Sequence, residues 1–286
     1  MKYADYTVGV ISMNSVFSGS GNPYIIRRSI KKAKEMDLDL LIAPEWGLMS
    51  RYSEKFRMAP RDAKKLIPSD EQKLINPAYI RLPYSPREAR SLISILEKDS
   101  KGSDMIIMPG SMMIYTDSKH MYNTMPVISN GNIVYSVIKN YDGGSKSFSP
   151  DKYIGRKKAM FKLWPDSRNF NDFKKVSVFT QNGINFGVEV CADAGVLGKS
   201  TGKDSLDIQV LISAGSRWTD LTALKKSGYV IFCDGDPYKR TYGHVTVEEC
   251  IYSPGPVSVG LKESKTFLNH EIVNNNLYVY HLDIKR

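Results

Sequence analysis

The chain has 286 residues, 42% hydrophobic and 24% charged, with a formal net charge of +10. That balance supplies enough apolar residue for one large core and excludes a disordered or fibrous chain. Three cysteines, Cys191, Cys233 and Cys250, form no Cys-x-x-Cys pair, which argues against a disulfide framework and a structural zinc site. The start "MKYADYTVGV" has no secretory pattern, and no run reaches the ~18 apolar residues of a membrane span. The expectation is a soluble cytoplasmic protein with no membrane partner. Basic residues are scattered in short groups such as "RRSIKKAK" and "GRKK", and no nucleic-acid module accompanies them, so nucleic acid is not expected as a partner.

In chain order, "YTVGVISMN" (6–14) is β-branched and apolar and predicts a strand. "NPYIIRRSIKKAKEMD" follows at helical spacing, with Asn22 as its cap and Pro23 in its first turn. "LDLLIAPE" is a continuous apolar run, as expected of a strand covered on both faces. A polar, Pro- and Arg-rich excursion covers roughly 51–87. "SPREARSLISILEKDS" predicts a helix capped by Ser85, and "DMIIMPGSMMIY" a strand. "NTMPVISNGNIVYSVIK" holds two alternating runs around Asn130-Gly131, a hairpin signal, and "VSVFTQNGINFGVEVC" repeats it at Asn182-Gly183. Between these hairpins, 140–173 is rich in Gly, Ser, Lys and aromatics. A segment that long without regular structure is usually functional or partly disordered. "LDIQVLISAGS", "YVIFCDGD", "PVSVG" and "LYVYHLDI" predict strands, and "TDLTALKKSG" a short helix. Helix–strand alternation with added hairpins predicts an α/β fold in one domain, a mixed sheet layered with helices; two sheets face to face inside helices would fit about this many strands.

Three of these runs end on reactive side chains: "LDLLIAPE" on Glu45, "NIVYSVIK" on Lys139 and "INFGVEVC" on Cys191. Ligands gather where the carboxyl ends of strands open into loops. A thiol becomes a nucleophile when a base takes its proton and a cation stabilises the thiolate, and a lysine can also stabilise an oxyanion. Taken singly, each residue has an ordinary reading: a solvated glutamate, a solvated lysine, a buried inert cysteine.

The ordered words "LLIAPE", "YNTMPVISNGNIVYSVIK", "FGVEVCAD", "VLISAGS" and "YVIFCDG" resemble the carbon–nitrogen hydrolase (nitrilase) superfamily, as a divergent member, over most of the chain. The resemblance implies a four-layer α-β-β-α sandwich over residues 1–286, with 51–87 and 140–173 as insertions. It also implies a homodimer or larger homo-oligomer and Glu-Lys-Cys attack on a small amide, nitrile or related substrate. No cofactor or metal is implied. Glu45 matches the general base, Cys191 the nucleophile and Asp193 the aspartate that follows it. Lys139, eight residues after Gly131, matches the lysine; Lys157 in "GRKKAMF" is its rival. Lys139 is favoured because the hairpin fixes register. Trp46 is a candidate pocket wall, with a core role as the alternative.

Three departures stand out. The family's second glutamate, between lysine and cysteine, is missing, since no glutamate occurs between Lys139 and Phe186; Asp166 is its nearest positional match. Glu189 sits where the family is apolar. By strand alternation it should share a face with Cys191, either as a supporting carboxylate or satisfied by a partner such as Arg168 or Lys158. The family's pocket-shaping word after the aspartate is absent. Expected function is therefore amidase or N-carbamoyl hydrolase chemistry, with a catalytically impaired binding or scaffold protein as the alternative.

Overall fold

A computed structural model of the chain describes residues 3–13, 22–49, 84–117, 120–139, 177–213, 219–235, 257–264, 266–274 and 276–285. Lys157, Lys158, Asp166, Arg168 and Cys250 lie outside them, as do 140–173 and all of 51–87 except its last residues.

The first sheet contains β1 (Tyr3–Ile11), β2 (Leu40–Ile42), β3 (Ile106–Met108), β4 (Met112–Asp117), β5 (His120–Ser129), β6 (Asn132–Ile138), β13 (Glu271–Asn274) and β14 (Leu277–Lys285). Its order is β13-β14-β1-β2-β3-β5-β4, with β6 on β5. The second contains β7 (Ser177–Gln181), β8 (Ile184–Val190), β9 (Leu206–Ser213), β10 (Leu224–Asp234), β11 (Val257–Leu261) and β12 (Thr266–Phe267). Its order is β12-β11-β10-β9-β8-β7. β1, β2 and β3 are parallel neighbours, as are β8, β9 and β10.

Alternate residues of both sheets point into one shared core. Val8, Val10, Leu40, Ile42, Ile106 and Met108 of the first sheet meet Phe186, Val188, Val190, Ile208, Val210 and Ile212 of the second. Full burial of such side chains contributes roughly 1.5–3 kcal/mol each. An aromatic stack crosses between the sheets: Tyr135 lies 4.7 Å from Phe179, which lies 5.2 Å from Phe186. The other residues of β2 and β3, Leu41 and Ile107, face an outer core against helices α1 (Asn22–Glu35) and α2 (Pro86–Ser100). This is why β2 and β3 read as unbroken apolar runs: both faces are covered. Ser85 and Glu88 form a reciprocal capping box at the start of α2. Lys34 donates to the carbonyls of Asp99 and Lys101 at the end of α2, and Arg27 pairs with Asp99 at 2.5 Å, so the two helices are latched together.

Three expectations are corrected. "DMIIMPGSMMIY" is not one strand: Pro109-Gly110, with Gly110 at φ 82°, divides it into β3 and β4. "TDLTALKKSG" is not a helix. Asp220 accepts from the N–H and hydroxyl of Thr222 to make a turn, and Leu224 then starts β10 beside β9, with Lys225 paired to Asp207 at 2.7 Å. Burial of Leu224 and Ala223 in the outer core of the second sheet overrides local helix preference. Finally, "INFGVEVC" stops being a strand at Val190; Cys191–Asp193 is a 3₁₀ turn, followed by the short helix α3 (Val196–Ser200). Among the described residues no helix is long and apolar enough to cross a membrane.

Candidate active site

Glu45, Lys139 and Cys191 leave the carboxyl ends of β2, β6 and β8. Each is aimed by a local device. After β2, the Ala43 N–H still pairs with Met108, and the chain then turns sharply, with Gly47 N–H donating to Pro44 O at 3.0 Å and Trp46 at φ 60°. The Ser111 hydroxyl accepts from Trp46 N–H at 3.0 Å. Two glycines let this turn nest against the β3–β4 turn. A Cβ on Gly47 would sit 2.9 Å from the carbonyl oxygens of both Pro44 and Pro109, and one on Gly110 would run into Pro44 O.

Lys139 is placed by the β5–β6 hairpin, whose turn residues Asn130 and Gly131 have φ 45° and 79°. The Lys139 N–H donates to Asn123 O at 3.0 Å, so the two residues stand opposite each other. Both side chains converge on one carboxylate oxygen. Lys139 Nζ lies 2.7 Å from Glu45 Oε1, and Asn123 Nδ2 donates to the same oxygen at 2.8 Å. All three residues are buried. Burial alone would lower the Lys139 pKa; the charges of Glu45, Cys191 and Asp193 more than offset it and hold the ammonium above the ordinary lysine range. Cys191 and the buried Asp193 thus lie within electrostatic reach of the ammonium that Glu45 holds. Glu45 Oε2 and Asn123 Oδ1 have no hydrogen-bond partner among the described residues.

Cys191 is half-buried and has φ 50°, a left-handed backbone that a side chain rarely adopts. Ala194 N–H closes the turn onto Cys191 O at 3.0 Å. Strand alternation ends at Val190 and does not extend to Cys191. Glu189 lies, as alternation requires, on the face of β8 opposite Val188 and Val190. It is buried there, accepting from Leu197 N–H at 2.9 Å, from Gln209 Nε2 at 3.3 Å and from the Thr219 hydroxyl. Trp46 packs against the helix-side core. Cys233 is fully buried, its thiol pushed well up by burial and then by Asp234.

Asn123 was not singled out by its sequence. Its signal was an amide in the strand that lies across a hairpin from the chosen lysine. Among the described residues no cluster of His, Cys, Asp and Glu could hold a metal ion.

No family model and no curated protein matches this chain. Solved structures do. An amidase from Nesterenkonia sp. superposes with a TM-score of 0.59 at 12% identity, covering 99% of this chain and 92% of its own. A mutant of the Nesterenkonia sp. AN1 amidase, carrying the acetamide moiety of fluoroacetamide on its active-site cysteine, gives a TM-score of 0.58 at 12% identity, covering 97% of this chain and 90% of its own. The glutamine-dependent NAD+ synthetase of Acinetobacter baumannii gives 0.57 at 14% identity; this chain is covered over 98% but spans only 46% of the synthetase. The AN1 amidase is described as a member of the nitrilase superfamily. Two facing sheets with helices outside, superposing over nearly the whole chain on these amidases, give this chain the fold of the nitrilase superfamily.

Proposed function

We propose that this chain is a thiol hydrolase of small non-peptide amides or N-carbamoyl compounds, with Cys191 as nucleophile, Glu45 as general base and Lys139 as electrostatic stabiliser. The observation that carries the reading is the buried 2.7 Å pairing of Lys139 with Glu45, with Cys191 near enough to the ammonium to act on it electrostatically. Glu45 takes the thiol proton, and the thiolate attacks the amide carbon. The developing oxyanion is held by the Lys139 ammonium and the backbone N–H that follows Cys191. Glu45 returns the proton to the leaving nitrogen, which departs as an amine or ammonia. Water, deprotonated by Glu45, then hydrolyses the Cys191 thioester and releases the acid. Asn123 fixes the carboxylate in the orientation that both proton transfers need. Lys157 and Asp166 are not required by this scheme. The cysteine of the AN1 amidase that carries the acetamide moiety of fluoroacetamide is a precedent for a nucleophilic thiol on the same fold.

The test is a screen of short primary amides and N-carbamoyl amino acids against the wild type and C191A. An acyl adduct on the Cys191 peptide, seen by mass spectrometry, is expected for any substrate turned over. Full turnover by C191A would end the reading. A Cys191 that alkylates no faster than a free thiol at neutral pH, with no substrate found, would favour a binding or scaffold protein.

A further inference from the structure

We propose that Glu189 is a positioning residue: its buried carboxyl fixes the far end of the Cys191 turn and thereby the strained backbone that presents the thiol. The inference rests on Cys191 being the nucleophile.

The turn leaves the sheet after Val190, whose partner is Ile212, and rejoins regular structure at α3. Over this span it carries two left-handed residues, Cys191 at φ 50° and Gly195 at φ 87°. A cysteine holds such a backbone only where its surroundings over-determine it. The first anchor is β8 itself. The second is the carboxyl of Glu189. Its Oε1 accepts Leu197 N–H at 2.9 Å, and its Oε2 accepts the Thr219 hydroxyl. The Thr219 oxygen in turn accepts Gly195 N–H at 3.4 Å and Gln209 Nε2 at 2.9 Å. Gln209 Nε2 also donates to Asp220 O at 2.9 Å, which ties the cluster to the segment before β10. One side chain on β8, two residues before the thiol, thus holds both the middle of the turn and the start of α3.

An apolar residue at 189 would pack in the layer but leave Leu197 N–H, Thr219 and Gln209 without their shared acceptor. The fit of α3 leaves little slack: a Cβ on Gly187 would sit 2.9 Å from Leu197, and one on Gly198 would collide with the Asp220 carboxylate. The charged groups around Glu189 are Asp193 in the turn, Asp220 held by Thr222, and Lys199, which is exposed on α3. Burial pushes the Glu189 carboxyl up to about 7, hydrogen bonds from Thr219, Leu197 and Gln209 oppose it, and Asp193 adds to the rise. The anchor therefore changes protonation in the neutral range, and Cys191 should report it.

The experiment compares wild type, E189M and E189Q. The first readout is the iodoacetamide alkylation rate of Cys191 against pH, followed on its own peptide by mass spectrometry, which needs no substrate. For any substrate found, kcat and KM are measured as well. E189M keeps the volume and removes the acceptor. It should lower the alkylation rate about tenfold and kcat about a hundredfold with KM little changed, as expected of a displaced reacting group. E189Q keeps an oxygen for Leu197 N–H. It should recover most of both losses while erasing the inflection near pH 7 in the Cys191 rate. A folded E189M with wild-type rate and pH profile overturns the proposal. If E189M does not fold, an E189Q profile that keeps its inflection overturns it. Failure of the hydrolase reading shows separately, as turnover by C191A.

Discussion

Lys139 Nζ and Glu45 Oε1 lie 2.7 Å apart although 94 residues separate them in the chain, and both side chains are buried. Such a pair stabilises only while both partners are present, because removal of one leaves an uncompensated charge. E45A should destabilise the fold by about 3–5 kcal/mol, measured by urea unfolding, and E45A/K139M should recover part of that loss.

The same pair sets an alkaline limit. The Lys139 pKa is raised, so its stabilising contribution is fully present below the unfolded lysine value of 10.5 and is lost as pH rises through the folded value. Wild-type stability should therefore show no loss from this group up to about pH 10, and a decline above it that K139M lacks. Denaturant midpoints across that range, wild type against K139M, check the difference.

Asn123 donates to the oxygen that Lys139 also holds. N123L keeps a side chain of similar size and removes the donor. It should lower kcat roughly tenfold while KM changes little, because an orienting contact to the base is lost rather than a substrate contact.

Gly110 and Gly102 both have positive φ, at 82° and 79°, but differ in surroundings. A Cβ on Gly102 meets nothing within 4 Å, whereas one on Gly110 enters the Pro44 carbonyl and the backbone of Gly47. G102A should cost about 1 kcal/mol for the backbone alone. G110A should cost at least about 3 kcal/mol and also lower activity, since the Glu45 turn must move. Equal losses in thermal unfolding would contradict this packing.

Glu189 gives a slope of opposite sense to a surface carboxylate. Its folded pKa of about 7 exceeds the ordinary 4.5, so its contribution is fully present below 4.5 and lost as pH rises through about 7. Relative to E189Q, the wild type should lose roughly 3 kcal/mol between those limits, since each pH unit crossed costs about 1.4 kcal/mol. Denaturant unfolding of both proteins at mildly acid and mildly alkaline pH measures it.

Much of this was legible because it depended on local signals. Asn130-Gly131 and Asn182-Gly183 both lie in tight turns with positive φ, and the Ser85 cap forms as its sequence predicts. What was not legible depended on distant neighbours. "TDLTALKKSG" has the residues of a helix, but Leu224 finds β9 and a buried layer. For Glu189 the alternation was carried one residue too far, on to Cys191, although β8 ends at Val190. Cys191 instead opens the 3₁₀ turn with a positive φ, and nothing in "VEVCAD" announces it.

By itself the sequence determined that Glu45, Lys139 and Cys191 would each follow closely on the carboxyl end of a strand, since apolar runs stop where reactive side chains begin. The meeting of these residues was decided by tertiary structure. Counted back from the turn, Ser129 faces Asn132, and an unbroken ladder would set Ile138 against Asn123. The register instead shifts by one residue between Val127 and Ile128, which sets Ile138 against Thr124 and brings Lys139 opposite Asn123. A one-residue shift turns each following side chain to the other face of the sheet. That bulge puts the ammonium beside Glu45 instead of leaving it in solvent.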